Sequence, residues 1–206
     1  ASAVLFTHTF TLASGLAVPD PFIALTGYKL GDHAVNVFFV LSGILTAASL
    51  DRTRSLTRFI AARVLRIFPA VAIAAVLIAV VLGPLVTQVP LTAYATSLDI
   101  PVYIARTALF APGHPLLPGV FTENPVPGLT NAPLWTIKYE LIAYTLLALA
   151  GALLARTPRT VWIGVATVTL AICFVTMAIA APDMQTIAGR FRHLIYAYVL
   201  GVAVYF

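Results

Sequence analysis

Apolar residues in this chain fall in long blocks, without the strict alternation of a half-buried strand or the one-sided spacing of a surface helix. A helix crossing the hydrocarbon core of a bilayer needs about 20 apolar residues, because each adds about 1.5 Å to a path of about 30 Å. That ruler predicts about six segments, at 1–12, 34–50, 67–87, 133–155, 160–181 and 193–206. The third and fifth contain no charged residue and are the clearest spans. Local signals support the boundaries: Gly31-Asp32 precede the second segment, Asn131 and Pro133 suit a cap and first turn for the fourth, and Pro182-Asp183 close the fifth. The expected fold is all-α, a polytopic transmembrane helix bundle.

Polar and turn-forming residues gather between these blocks. The connection 88–132 holds Pro90, Pro101, Pro112, Pro115, Pro118, Pro125 and Pro127 together with Gly113, Gly119 and Gly128. So long a connection is usually functional, and its prolines predict a fixed shape. A short interfacial helix is expected at 102–110. The sequence shows no internal repeat and no low-complexity tract.

Composition agrees with a lipid solvent. Hydrophobic residues make up 61% of the chain, charged residues 9%, and mean hydropathy is +0.99. A soluble domain carries about 25% charged residues, and without them its exterior would be bare hydrocarbon. The net charge of +5 is bunched rather than spread. Arg52, Arg54, Arg58, Arg63 and Arg66 are expected in the connection between the second and third segments, and Arg156 and Arg159 between the fourth and fifth. The positive-inside rule makes that side cytoplasmic and turns 88–132 outward, with Arg190 and Arg192 as mild exceptions. This clustering reports orientation, and no nucleic-acid partner is expected. Cys173 is the single cysteine, which excludes a disulfide or a cysteine-based zinc site within the chain. The sequence opens in an apolar run without a Met or a basic leader and stops in another at Phe206, so it is expected to be part of a longer protein.

Few residues here carry chemistry. His8 sits inside the first segment, where an ionisable group suggests function, although an interhelical hydrogen bond would account for it equally well. Glu140 would lie about 13 Å into the fourth segment; either it works there or it reaches a wet rim beside Lys138. Arg63 and Arg66, three apart, share a helix face, and guanidinium forks suit phosphate; topology alone would also explain them. In Phe38-Phe39-Val40-Leu41-Ser42-Gly43 the aromatic pair reads as packing, and Ser42-Gly43 as a place where another helix backbone comes close. No nucleophile elbow surrounds Ser42. His33 and His114 lack metal-ligand partners at useful spacing. Both read as structural or solvated, and no metal site is expected.

In chain order stand His8, then Val37-Phe38-Phe39-Val40-Leu41-Ser42-Gly43-Ile44-Leu45, then Arg63-Val64-Leu65-Arg66-Ile67-Phe68-Pro69. Leu117-Pro118-Gly119-Val120-Phe121-Thr122-Glu123-Asn124-Pro125 follows, and last comes Asn131-Ala132-Pro133-Leu134-Trp135-Thr136-Ile137-Lys138-Tyr139-Glu140. This succession resembles the acyltransferase family 3 membrane proteins, bacterial enzymes that O-acylate surface polysaccharides and similar acceptors. The resemblance implies that 1–206 is part of a larger transmembrane domain of that family. It implies a multi-pass protein of the bacterial plasma membrane, with no bound cofactor and acyl-CoA, acetyl-CoA being expected, as co-substrate. A carbohydrate or lipid-linked hydroxyl would be the acceptor and the lipid bilayer the setting.

The resemblance also makes His8 the essential histidine and places the Arg63/Arg66 motif at the cytoplasmic face. Phe38, Phe39, Ser42, Gly43 and Trp135 are then motif positions that pack. Three departures stand out. The family's arginine ahead of the histidine would precede Ala1, its aspartate before the aromatic pair is Asn36 here, and its Ser-Gly-Phe is Ser42-Gly43-Ile44. The mechanism to be expected uses His8 as general base on the acceptor hydroxyl and Glu140 to orient His8. Arg63 and Arg66 would hold the donor's phosphates. The alternative is a secondary transporter or flippase with His8 and Glu140 as a proton relay.

Overall fold

Among the described residues, all but the first of the apolar blocks lie in helices of membrane-spanning length and apolarity, of which there are 5. A computed structural model describes residues 2–14, 20–111, 115–179 and 186–206. Helix α1 spans Ser2–Ser14, and α2 is a single turn at Phe22–Thr26. Helices α3, Leu30–Thr53, and α4, Leu56–Leu77, follow. From α4 the chain continues through a π-helical turn, Ile78–Leu82, into α5, Gly83–Val86. Short helices α6, Leu91–Ala95, and α7, Asp99–Ala108, lie in the long connection. After a 3₁₀ turn at Ala132–Thr136 come α8, Ile137–Leu154, α9, Arg159–Ile179, and α10, Ile187–Tyr205. Among the described residues there is no named strand, and the all-α expectation holds.

Several helices outrun the boundaries expected from apolarity. The second segment begins at Leu30, where the Lys29 backbone N–H donates to the Asp32 carboxylate at 3.2 Å. It ends at Thr53, so Arg52 lies inside the helix. Arg58, Arg63 and Arg66 lie within α4 rather than in the connection before it. Ser55 starts that helix, its carbonyl accepting from Phe59 N–H at 3.0 Å and its hydroxyl from Arg58 N–H at 3.4 Å. The last helix likewise starts at Ile187, behind a Thr186 hydroxyl that accepts from Gly189 N–H at 3.0 Å, and takes in Arg190, Arg192 and His193. The physical reason is common to all. Backbone bonding, not side-chain apolarity, sustains a helix as it leaves the hydrocarbon, and long basic side chains reach back to the headgroups. Helix α1 has 13 residues and falls short of a span.

The contacts gather into two units. The first comprises Ala1–Thr7, Asp20–Ala61 and Trp135–Phe206, and the second His8–Pro19 and Ala62–Leu134.

In the first unit the central contact is α3 against α10. A Cβ on Gly43 would stand 2.1 Å from the Tyr198 carbonyl oxygen, and one on Gly201 would stand 2.0 Å from that of Val40. Backbones this close are what small residues allow where apolar burial cannot drive association, as the Ser42-Gly43 pair led one to expect. Helix α8 meets α3 where Gly151 faces Leu50, with a Cβ there 2.7 Å from Leu50 Cδ2. Helix α9 flanks α10 yet exposes most of its apolar side chains. The Phe38-Phe39 pair splits, Phe39 buried and Phe38 exposed, as neighbours about 100° apart on a helix must.

The second unit packs Ala75, Ala79, Tyr94, Tyr103, Leu117 and Val120 into a small core. Pro84 has no N–H to offer the Val80 carbonyl, and the helix widens just before it: Gly83 N–H reaches back to the Ile78 carbonyl. The Tyr94 hydroxyl fills the gap by donating to the Ala79 carbonyl at 2.7 Å. Beyond α5 the chain is pinned by Thr87, whose hydroxyl donates to the Pro118 carbonyl at 2.7 Å, and by Gln88 N–H donating to the Gly119 carbonyl at 3.0 Å. Gly119 has φ +65 and sits under that turn, where a Cβ would be 2.9 Å from the Thr87 hydroxyl. The long connection, of which 112–114 lie outside the described residues, is thus tied at 118–119 to the end of α5. Its expected helix is α7, begun earlier than 102 because the Ser97 hydroxyl accepts from Asp99 N–H at 3.1 Å.

Candidate active site

Glu140 stands in the first turn of α8, half-buried. One turn on, the Tyr144 hydroxyl donates to Glu140 Oε1. That phenol is itself 3.2 Å from the Ser42 hydroxyl on α3. Because Tyr144 gives its proton to the carboxylate, Ser42 is the donor to the Tyr144 oxygen. A second hydroxyl pair lies beside the first. Thr46 donates to the Ser42 carbonyl at 2.6 Å and stands 2.6 Å from the Tyr198 hydroxyl on α10. Tyr198 is therefore the donor of that second bond. The Tyr144 and Tyr198 rings lie 6.3 Å apart. Hydroxyls thus join α3, α8 and α10 at a depth where water is scarce and each polar group needs a protein partner.

The Lys138 ammonium lies 5.2 Å from the centre of the Tyr139 ring. Trp135, in the 3₁₀ turn ahead of α8, makes a T-shaped contact with Tyr139 at 5.9 Å and carries the Arg190 guanidinium at 5.1 Å. Its packing is therefore partly cation–π.

Near the start of α3 lies a polar knot that sequence reasoning missed. Asp20 is only 3% exposed. It accepts from the Thr7 hydroxyl at 2.5 Å, from Leu30 N–H at 3.2 Å and from Phe22 N–H at 2.9 Å. Thr7 in turn accepts from Gly31 N–H at 2.7 Å. Burial pushes the Asp20 carboxyl up, but these hydrogen bonds and the nearby Lys29 charge outweigh it and hold the group below its ordinary range. Tyr28 packs edge-on against His193 at 5.3 Å and against His33 at 6.0 Å. Burial and the Asp32 charge push its phenol up. His33 bonds the Thr26 hydroxyl at 2.9 Å, in keeping with a structural role; His114 lies outside the described residues.

His8 belongs to the second unit and is half-buried on α1. Arg63 and Arg66 belong to it as well, on α4. They do not share one environment. Phe59, Ile67, Val71, Ala75 and Ala79 form a buried stripe at every fourth position, and Arg63 falls on that stripe and is half-buried, whereas Arg66 beside it is exposed. Glu140, Tyr144, Ser42 and Trp135 all belong to the first unit.

Tyr144, Tyr198, Thr46, Thr7 and Asp20 are the functional or organising residues that pattern reading passed over. The spacing of Glu140 and Tyr144, and of Ser42 and Thr46, was a visible signal, since residues four apart on a helix are neighbours.

No curated protein and no solved structure shows a significant match to this chain. A family model described as an acyltransferase domain matches residues 1–206, its whole length. That match decides for the enzyme over the transporter. It extends the likeness beyond Glu140, through α9 and through α10, which carries Tyr198. The chain belongs to acyltransferase family 3, and it is a multi-pass membrane acyltransferase.

Proposed function

We propose that the protein transfers an acyl group, acetyl being expected, from acyl-CoA to a hydroxyl of a carbohydrate or lipid-linked acceptor at the bacterial plasma membrane. The observation that carries this reading is His8, an ionisable side chain half-buried on an apolar helix of a chain that is an acyltransferase throughout. A neutral imidazole accepts the acceptor's proton as its oxygen attacks the thioester carbonyl. The carbon–sulfur bond then breaks, and the imidazolium returns the proton to the departing thiolate. Positioned general bases of this kind contribute about 10²–10⁴-fold.

Arg63 and Arg66 are proposed to meet the donor's phosphates. Their difference in burial assigns them different parts. Arg63, on the buried stripe, has its guanidinium partly withdrawn from solvent, where a charge-assisted bond counts for more. Arg66, exposed, offers a weaker and salt-screened attraction. Glu140 is the carboxylate of the proposed chemistry; a carboxylate kept in so apolar a helix is costly and is retained for work.

The test follows acyl-CoA breakdown by membranes carrying the full-length protein with either wild-type His8 or His8→Ala, at matched insertion. Loss of about 100-fold or more is expected for His8→Ala; activity within a few-fold of wild type would remove His8 as the base. Arg63→Ala is expected to raise the donor KM more than Arg66→Ala does, and an unchanged KM in both would remove the phosphate contact.

A further inference from the structure

We propose that Tyr144, backed by Ser42, is a positioning residue for Glu140: together they hold one carboxylate oxygen so that the other faces the reaction. The inference rests on the reading of Glu140 as a working carboxylate and adds to it the device that aims the group.

Two observations support it. The first is direction. Ser42 donates to Tyr144 and Tyr144 donates to Glu140 Oε1, so every proton in the run points toward the carboxylate. A chain of hydroxyls polarised one way strengthens its last bond. The second is rigidity. Glu140 has a long, freely rotating side chain, whereas Tyr144 is 4% exposed and locked among α3, α8 and α10. Ser42 is fixed in turn, because its carbonyl accepts from Thr46, its neighbour Gly43 is pressed against the Tyr198 backbone, and Thr46 is held by the Tyr198 hydroxyl.

A carboxylate held by one hydroxyl that is itself fixed from a second helix delivers its other oxygen at a set place, which is what a group acting in a transition state needs. Packing alone would not require this polarity: phenylalanine at 144 and alanine at 42 would fill nearly the same volume.

The experiment measures kcat and donor KM in the full-length protein for Tyr144→Phe, Ser42→Ala, Ser42→Thr, Glu140→Gln and the double variant Glu140→Gln/Tyr144→Phe. Thermal unfolding in detergent accompanies each. Tyr144→Phe is expected to lower kcat by about tenfold or more with donor KM unchanged, and Ser42→Ala to lower it less, in the same sense. Ser42→Thr, which keeps the hydroxyl, should restore most of the loss. On the Glu140→Gln background Tyr144→Phe should cost little further, because the two act as a unit.

If Glu140→Gln is inactive while Tyr144→Phe keeps kcat within twofold, the positioning role is overturned and the reading of Glu140 stands. Full activity of Glu140→Gln would remove that reading and the positioning role with it. Should Tyr144→Phe fail to fold, the Ser42→Ala and Ser42→Thr pair decides: equal activity in both overturns the proposal.

Discussion

The two units of this protein put their hydroxyls to different ends. In the first, continuous helices meet, and side chain bonds to side chain: Ser42 to Tyr144 to Glu140, Tyr198 to Thr46, and Asp51 to both Arg159 at 3.3 Å and Tyr205 at 2.9 Å. In the second, the chain widens and turns, and hydroxyls hold those turns: Tyr94 donates to the Ala79 carbonyl, Thr87 to the Pro118 carbonyl and Thr122 to Gln88 Oε1 at 2.5 Å, while Tyr103 pairs with the Thr130 hydroxyl at 3.0 Å. A helix closes its own backbone bonds, so hydroxyls between helices are left over and can be spent on one another or on a carboxylate. Where Pro84 breaks the helix, the freed Ala79 carbonyl takes the Tyr94 hydroxyl. The lesson concerns where chemistry can be built. Between unbroken helices hydroxyls reach across to a Glu140, whereas in the second unit they hold turns and short helices together.

The contrast can be broken first at its strongest point. Gly201→Val puts side-chain atoms into the Val40 carbonyl, and it is expected to remove about 3 kcal/mol or more of stability, read as a large fall in detergent Tm or loss of the inserted protein. Gly164→Ala on α9 is the matched control. Nothing lies within 4 Å of its Cβ, so stability should hold or rise by about 0.5–1 kcal/mol. Tyr94→Phe comes next, leaving the Ala79 carbonyl unmet at the π-helical turn. A loss of about 1–3 kcal/mol is expected, concentrated in faster hydrogen exchange at 78–86 and with little change in the first unit. Uniform loosening of both units would argue against two separate ways of bonding.

Asp20 gives a pH test. Its folded carboxyl is held below the unfolded value of about 3.9, so its stabilisation is full above that pH and is lost as pH falls through the lower folded value. Wild-type protein should therefore lose stability between neutral pH and acid more steeply than Asp20→Asn; parallel curves would remove Asp20 from the account. The smallest effect is expected at the end of the bundle bearing Asp51. Arg159 is 65% exposed, and Arg159→Ala should change stability by no more than about 1 kcal/mol and less at high salt.

Much of the fold was legible because a bilayer imposes a length. The uncharged run beginning at Ile67 and the one beginning at Thr160 could be nothing but spans, and Ser42-Gly43 announced a close helix contact that Gly201 completes. Helix ends were less legible, since Arg52, Arg58, Arg63 and Arg190 lie in helices that apolarity would have stopped short. Glu140 was visible as a charge where none is cheap. Tyr144 stood within reach four residues on yet read as an ordinary aromatic, and Tyr198 needed packing to bring its hydroxyl to Thr46. Asp20 was hidden for another reason: it sits outside any periodic segment, and only the chain's return toward Thr7 gives it partners. The different burial of Arg63 and Arg66 needed the helix phase, which the arginine pattern alone does not set.

The central claim is acyl transfer through His8 to a hydroxyl, and labelled acyl-CoA tests it most directly. Membranes carrying the full-length protein would be supplied with the labelled donor and carbohydrate acceptors, and the label followed into alkali-labile ester for wild type and His8→Ala at equal insertion. The account predicts ester formation in wild type and a loss of about 100-fold or more in His8→Ala. Equal ester formation in both, or a donor left intact by wild type across those acceptors, would contradict it.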